Sequence, residues 1–475
     1  MIKSPQAVKS LISRKKAEKL CKFLKGYKTY LVGGCVRDEL LGLYPKDYDI
    51  VTDAKPEEIK KVFSNFKILE VGKAFGIITV IVEGEPFEIA TMRLDNESDG
   101  RRPESVTFIS SIYDDLARRD FTINGIAYDP INKLLIDPFE GISDLKNKLI
   151  RFIGIPSDRI EEDQLRILRA FRFVSTHSLS LEKVTHSELN YAVSNPNCFS
   201  KVSQERITSE FIRIINGDNA VTALEELINN KLLFKIIPEL ERQLEPHNSP
   251  KWHNETYNDW GKIILSHTMN VFKHSVELTL NISYDDKFIL RTATLLHDIG
   301  KPFCREDRGD HDRFLGHDIV GAEIALKRLR AMKLKSDYIK PIVSCIKNHM
   351  NCHNLLKMHD VAKIRKFLGK KYFKYIYNIA IFDSLGTLNE NSPEPEVSNL
   401  NNKILNLNLK YPTMLPEKII TGSTLIEAGL NPSEAFKFAI DKAYDQQLRG
   451  ETDERKLLNF AKGIYTQWKP KSKES

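Results

Sequence analysis

Thr29-Tyr30-Leu31-Val32-Gly33-Gly34-Cys35-Val36-Arg37-Asp38, followed after a short apolar stretch by Lys46-Asp47-Tyr48-Asp49-Ile50-Val51, reads as a strand, a glycine turn, a helix start and a second strand. Gly33 and Gly34 carry no Cβ, so their backbone can approach phosphate oxygens closely, and a helix opening near Val36 offers unpaired N–H groups to the same anion. Asp47 and Asp49 are two residues apart, which on a strand puts both on one face. Two hard oxygen ligands side by side suit Mg²⁺ when the ion also holds substrate phosphates. An isolated D-x-D is common in solvated turns. Preceded at this spacing by strand, Gly-Gly and helix, it points to the handling of a nucleoside triphosphate.

Working outward, 475 residues are too many for one core and predict three or four units. With 41% hydrophobic and 28% charged residues and no long apolar run, the composition excludes a membrane-spanning class. A net charge of +7 permits a polyanionic partner. The six cysteines, Cys21, Cys35, Cys198, Cys304, Cys345 and Cys352, form no C-x-x-C pair, which predicts reduced thiols in a cytoplasmic protein. The Lys-rich stretch Met1 to Lys25 has helical apolar spacing and is expected to cap a domain.

The pattern predicts an α+β multidomain chain with a mixed-sheet head over 1–150, then helical units over 151–246, 261–390 and 409–468. In the head a helix is expected from Pro56 to Phe63, and strands from Ile77 to Val82 and Pro86 to Met92. Leu94 to Glu104 reads as a polar loop with Arg101 and Arg102 at its tip. Ser105 to Phe108 and Asp120 to Tyr128 are expected to return to the sheet. From Asp158 the period becomes 3.6: Ile160, Leu165, Leu168, Phe171, Phe173 and Val174 form an apolar stripe. Arg166, Arg169 and Arg172 recur every third residue beside it, just after Glu162-Asp163, so donors and acceptors stand together as reading a base edge requires. His247 to Trp260 reads as a linker, Asn391 to Glu396 as a second break, and Lys469 to Ser475 as a disordered end.

Leu295-Leu296-His297-Asp298-Ile299-Gly300-Lys301 sets an adjacent His and Asp at the end of an apolar helix. His267, His317, His349 and Asp383 keep it company, and mixed imidazole and carboxylate ligands suit a metal centre that activates water. The order H…HD…D, with Arg313 to Glu323 downstream, resembles the HD phosphohydrolase superfamily. That resemblance implies His267, His297, Asp298 and Asp383 as ligands of a divalent metal, with His274 and Asp360 as the alternatives to His267 and Asp383.

Four segments together resemble one family: Leu31 to Gly42 with Lys46 to Thr52, Asp115 to Pro130, Asp158 to Phe173, and Gln204-Glu205-Arg206-Ile207. They are similar to the head and neck motifs of class II CCA tRNA nucleotidyltransferases and bacterial poly(A) polymerases. Ile420-Thr421-Gly422 through Gly450 is similar to the tail of the bacterial enzymes. The resemblance implies a nucleotidyltransferase head followed by an all-α neck, HD unit and tail. It implies that Gly33, Gly34, Arg37 and Arg119 hold the triphosphate and that Asp47 and Asp49 are the catalytic Mg²⁺ ligands; Glu88, expected on the same sheet surface, is a candidate third carboxylate. Asp163 and Arg166 would read the base edge, with Arg169 and Arg172 extending that surface. Partners would be CTP, ATP and the tRNA 3′ end, with no membrane. Partial CC or A addition and poly(A) synthesis compete with full CCA addition; the intact segment with Arg93, Asp95, Asp99, Arg101 and Arg102 favours the full reaction, as does Gly76-Ile77. From another class, the HD unit could be the working enzyme and the head a binding module. Gly125, where the family more often has Ala, is a small-for-small departure, and Gln164 stands at a position that varies.

Overall fold

The structure, a computed structural model, describes residues 5–72, 75–98, 103–246, 263–309, 311–387, 394–411 and 414–468. The chain divides into two compact units, Met1–Pro238 and Glu239–Ser475.

The first unit opens with α1 (Pro5–Phe23), which buries Ala7, Ala17, Leu20 and Cys21 at helical spacing. The head follows as β1 (Thr29–Val32), α2 (Gly34–Leu40), β2 (Asp49–Thr52), α3 (Pro56–Val62), β3 (Lys67–Gly72), β4 (Ile77–Val82) and β5 (Glu85–Thr91). It continues as β6 (Arg93–Ser98), β7 (Pro103–Phe108), α4 (Ile112–Ala117), a 3-10 turn at Thr122–Asn124, β8 (Ala127–Asp129), β9 (Leu134–Ile136) and α5 (Gly141–Lys146). Seven strands form one sheet in the order β3-β4-β5-β2-β1-β8-β9. Only β2 and β5 run parallel; the other pairs are antiparallel. After its first residue β2 is wholly buried, so Asp49 alone emerges at the strand's start while Val51 joins Val32, Met92, Ile112, Leu116 and Ala127 in the core. That is how an apolar strand delivers one carboxylate to a rim.

Three sequence expectations change here. The polar stretch read as a loop from Leu94 is in its described parts a hairpin, with Leu94 opposite Thr107 and Asn96 opposite Ser105. The hairpin stands apart from the main sheet, so it satisfies its ladder without an apolar face; Asp99, Arg101 and Arg102 lie outside the described residues. For the same reason Ser105 to Phe108 pairs with β6 instead of returning to the sheet. Of Asp120 to Tyr128 only the end joins the sheet, because Thr122–Asn124 winds into a turn. At Gly125, a Cβ would come within 2.8 Å of Ile153 Cδ1 and 3.2 Å of Phe139 Cδ2, so Ala is not an idle exchange in this chain.

The neck is helical: α6 (Pro156–Glu162), α7 (Arg166–His177), α8 (Lys183–Ser194), α9 (Gln204–Asn216), α10 (Ala220–Asn229) and α11 (Leu232–Ile236). The helix read from Asp158 is two helices, parted where Asp163 turns extended at φ −152° and ψ 100°. On α7 the stripe Ile167, Leu168, Phe171 and Val174 is buried, and α9 packs against this helix through Ile207, Phe211 and Ile214. The approach is close at Gly217, where a Cβ would fall 2.0 Å from Ser175 Oγ.

The second unit holds α12 (Ile264–Leu278), α13 (Tyr284–Leu296), α14 (His317–Ala331), α15 (Ser336–His353), α16 (Val361–Leu368) and α17 (Phe373–Gly386). It ends with α18 (Glu394–Lys410), α19 (Gly422–Glu427), α20 (Glu434–Arg449) and α21 (Glu454–Gln467), the last three closing on Leu425, Ala439, Ala443 and Leu457. α12 and α17 pack together, and α15 packs on α13, α14 and α17. His247 to Trp260, Asn391 to Pro393 and the end from Lys469 lie outside the described residues, whereas Glu394 to Glu396, read as part of the second break, open α18. Among the described residues no helix is long and apolar enough to cross a membrane. All six cysteines are free.

Candidate functional site

The glycine turn is built for close approach. Gly33 sits at φ 71° and ψ −127°, a backbone angle that favours glycine, and the Arg119 guanidinium lies close, 2.7 Å from where a Cβ would be. α2 starts at Gly34, two residues before the expected Val36. Asp49 opens β2 opposite Val32, whereas Asp47 lies just before the strand and is not part of it. The parallel register Ile50 with Ile89 places Glu88 next to Asp49 on the neighbouring strand. Asp49 still meets solvent, yet its carboxyl is pushed up to about 6: enclosure by protein is the first cause, then the charges of Asp47 and Glu88, with Arg119 opposing. Three acidic groups beside one another are a hard-oxygen donor set, and this set fits Mg²⁺.

A cleft of about 410 Å³ joins this rim to the neck. Gly33, Gly34, Arg37, Asp49 and Arg119 line it from the head, and Asp163, Arg166, Arg169 and Arg172 from the neck, so it gathers the sequence-predicted site residues of the first unit except Asp47 and Glu88. Asp163 accepts from Arg206 Nη2 at 2.7 Å and from the Leu165 amide at 3.1 Å. Arg166 donates to Glu162 at 2.7 Å, to the Arg159 carbonyl at 3.0 Å and to the Arg118 carbonyl at 3.2 Å. Both are thus oriented before any ligand arrives.

Arg169 and Arg172 have partners inside the protein. Arg169 grips Asp120 through Nε at 2.8 Å and through Nη2. Burial works against ionising Asp120, but Arg169, Asn124 and the Phe121 amide outweigh it and hold its carboxyl far below the usual range. Arg172 lies 3.0 Å from Glu210, and burial drops its guanidinium to about 10. Asn124, Phe173 and Arg206 were not singled out individually in the sequence. Phe173 ended a recognised stripe, and Arg206 lay in a recognised segment whose partner, 43 residues upstream, no local pattern reveals.

The second unit holds a different centre. His267 Nε2 lies 3.3 Å from His297 Nε2, 3.6 Å from Asp298 Oδ2 and 3.0 Å from Asp383 Oδ1, so the four expected ligands converge. The alternatives do not: His274 pairs with Glu277 at the surface, and Asp360 caps α16 by accepting from the Ala362 and Lys363 amides. His317 and His349, noticed only as company, stand 3.4 and 3.9 Å from the other oxygen of Asp298 and 3.3 Å from each other. Asp298 therefore faces two ligand groups, one through each oxygen.

Each of His297, His317 and His349 gives its Nδ1 proton to a carbonyl 2.7 Å away, those of Thr294, Phe314 and Ile346. A carbonyl only accepts, so the tautomer is fixed and Nε2 is turned to the centre. Burial keeps His317 below its ordinary value and takes His349 to about 3, so both are neutral lone-pair donors. Burial opposes ionised Asp298, but His297, Lys301 and His317 hold it well below the usual range. Lys301 Nζ is 2.5 Å from its Oδ2, and His353 takes the outer oxygen of Asp383 at 2.8 Å. The turn fits because Gly300 and Gly321 meet backbone to backbone: a Cβ on Gly300 would be 2.1 Å from the His317 carbonyl. The donor set suits divalent metal.

A mixed-sheet head whose acidic rim shares a cleft with an arginine helix is the layout that the sequence resemblance to nucleotidyltransferases leads one to expect. Residues 29–151 match the family model described as the poly A polymerase head domain, residues 199–244 that of a probable RNA and SrmB-binding site of polymerase A, and residues 264–368 the HD domain. The CCA-adding enzyme of Lactobacillus delbrueckii subsp. bulgaricus is 41% identical over 204 residues, 43% of this chain and 50% of that one. That of Geobacillus sp. is 39% identical over 231 residues, 48% of this chain and 55% of the relative. The chain spans about half the length of the curated relatives it matches. The solved Bacillus stearothermophilus CCA-adding enzyme in complex with CTP shares the fold at TM-score 0.63 and 24% identity, covering 95% of this chain and 98% of that chain. The Thermotoga maritima CCA-adding enzyme complexed with tRNA-CCA gives 0.60 and 24%, over 96% and 98%. The head and neck thus carry the poly A polymerase head and RNA-binding models and are similar to CCA-adding enzymes, and the HD domain model follows them in the same chain.

Proposed function

We propose that this protein adds C and A to the 3′ end of tRNA, using CTP and ATP and releasing pyrophosphate, in the cytoplasm. The observation that carries the reading is the single cleft in which the acidic rim of Asp49 meets the oriented pair Asp163 and Arg166. Mg²⁺ held by Asp47 and Asp49, with Glu88 beside them, would neutralise charge developing on the phosphate as the RNA 3′-hydroxyl attacks the α-phosphorus. Gly33 and Gly34 bring the backbone to the triphosphate, and Arg37 and Arg119 supply its countercharge. Asp163 accepts from the exocyclic amine of cytosine or adenine while Arg166 donates to the adjacent ring nitrogen. Uracil and guanine present the opposite polarity at that edge, so side chains choose C and A without a template. Arg169 and Arg172 support that surface through Asp120 and Glu210.

The HD centre is proposed as a divalent-metal phosphohydrolase or phosphodiesterase that prepares RNA ends. Lys301, ion-paired with Asp298, would supply countercharge to a phosphate oxygen.

The test uses tRNA transcripts lacking one, two or all three terminal nucleotides, with labelled CTP and ATP supplied singly and together. The expected result is completion of CCA and then arrest. Long A tracts would indicate poly(A) synthesis, and addition of C alone or A alone a partial enzyme.

A further inference from the structure

We propose that His177, at the far end of α7, is a positioning residue for the triphosphate: it holds Asp38, and Asp38 holds the guanidinium of Arg37. The inference rests on the transferase reading. Arg37 and Asp38 are consecutive on α2, where neighbouring side chains diverge and have no inherent reason to meet. They nevertheless meet tightly, with Asp38 Oδ1 accepting from Arg37 Nε at 2.9 Å and Nη2 at 2.7 Å. The same oxygen takes His177 Nε2 at 3.2 Å. A carboxylate only accepts, so Nε2 carries the proton.

The remaining arm of Arg37, Nη1, donates to Asn124 Oδ1 at 2.6 Å, and Asn124 Nδ2 donates to Asp120 Oδ1 at 2.8 Å. Asp120 is gripped in turn by Arg169 of α7. The chain of polar contacts thus leaves α7 at Arg169 and returns to it at His177, about two helical turns later. Between those anchors Phe173 lies under the Arg37 guanidinium at 4.9 Å and packs on the His177 ring at 5.4 Å. The helix whose first turn carries Arg166 therefore also fixes, from its last turn, the arginine assigned to the phosphates. Arg37 and Asp38 are the charged groups that face His177 from α2, and Arg172 the one from its own helix. Burial holds the imidazole below its ordinary value, in keeping with a fixed hydrogen-bond donor.

His177→Ala removes the donor to Asp38, whereas His177→Gln keeps an N–H at comparable reach. The full-length variants are titrated with pyrophosphate and Mg²⁺, and initial rates are measured with each nucleotide. His177→Ala is expected to weaken pyrophosphate binding and raise KM for CTP and ATP alike by about tenfold, leaving the preference for C and A over U and G unchanged. His177→Gln is expected to recover to within about twofold of wild type. Wild-type pyrophosphate affinity in His177→Ala would overturn the inference. Equal losses in both variants with lowered Tm would also overturn it, marking His177 as packing only. Failure of the wild-type protein to extend tRNA, with pyrophosphate binding intact and His177-dependent, would count against the transferase reading alone.

Discussion

The head–neck cleft and the HD centre both gather carboxylates for a divalent cation, and they do so in opposite ways. In the cleft, Asp49 and Glu88 still meet solvent, and enclosure by protein, followed by the charges of Asp47 and Glu88, lifts the Asp49 carboxyl to about 6. In the HD centre, His297 is 0% and Asp298 1% exposed, and the carboxyl is held well below its usual range. The first site is open to solvent at its acids, whereas the second is enclosed, with His297, His317, His349 and Asp383 each oriented by a further hydrogen bond.

That contrast can be broken most severely at its acids. Asp49→Ala is expected to cut nucleotide addition by about 1,000-fold or more while tRNA binding, followed by gel shift, survives. Wild-type turnover in that variant would remove the metal assignment. Asp298→Ala is expected to eliminate phosphohydrolysis and both metal equivalents by elemental analysis, with addition retained. His317→Ala would lose only one equivalent, and loss of neither would refute the shared carboxylate. Arg166→Ala is expected to lower discrimination for C and A by about 10- to 100-fold, read from kcat/KM ratios. An unchanged ratio would take it out of base reading.

The subtlest effect follows from pH. A carboxyl raised from 3.8 to about 6 favours the protonated form in the folded, metal-free protein, so ionising Asp49 costs stability. That cost is fully present above about pH 6 and is relieved as the pH falls through 6 towards 4. Mg²⁺ affinity is expected to fall about tenfold per unit below pH 6, measured by calorimetry. Asp49→Asn is expected to raise the Tm of the metal-free protein at neutral pH; an unchanged Tm would deny the repulsion.

Legibility in sequence followed locality. Gly33, Gly34, Asp49 and Arg166 could be read because their chemistry lies in short spacings. The break at Asp163 was hidden, since the apolar stripe runs through it and its extended backbone fits the contact with Arg206 from α9. The commitment of Arg169 to Asp120 was also hidden, because a partner 49 residues away leaves no periodic trace. The hairpin of β6 and β7 was missed because a ladder without an apolar face has no hydrophobic alternation to show. His317 and His349 were visible as residues but not as ligands. Their meaning depends on the second oxygen of Asp298, which only the packing of α14 and α15 supplies.

Gly300 and Gly321 give the HD centre a property that reaches past its ligands. With main chain against main chain, the turn after α13 and the first turns of α14 leave no side-chain padding through which His297 and His317 could move apart. The spacing of the two histidines is therefore set by main chain, so a Cβ added at Gly300 would displace residues of both ligand groups at once.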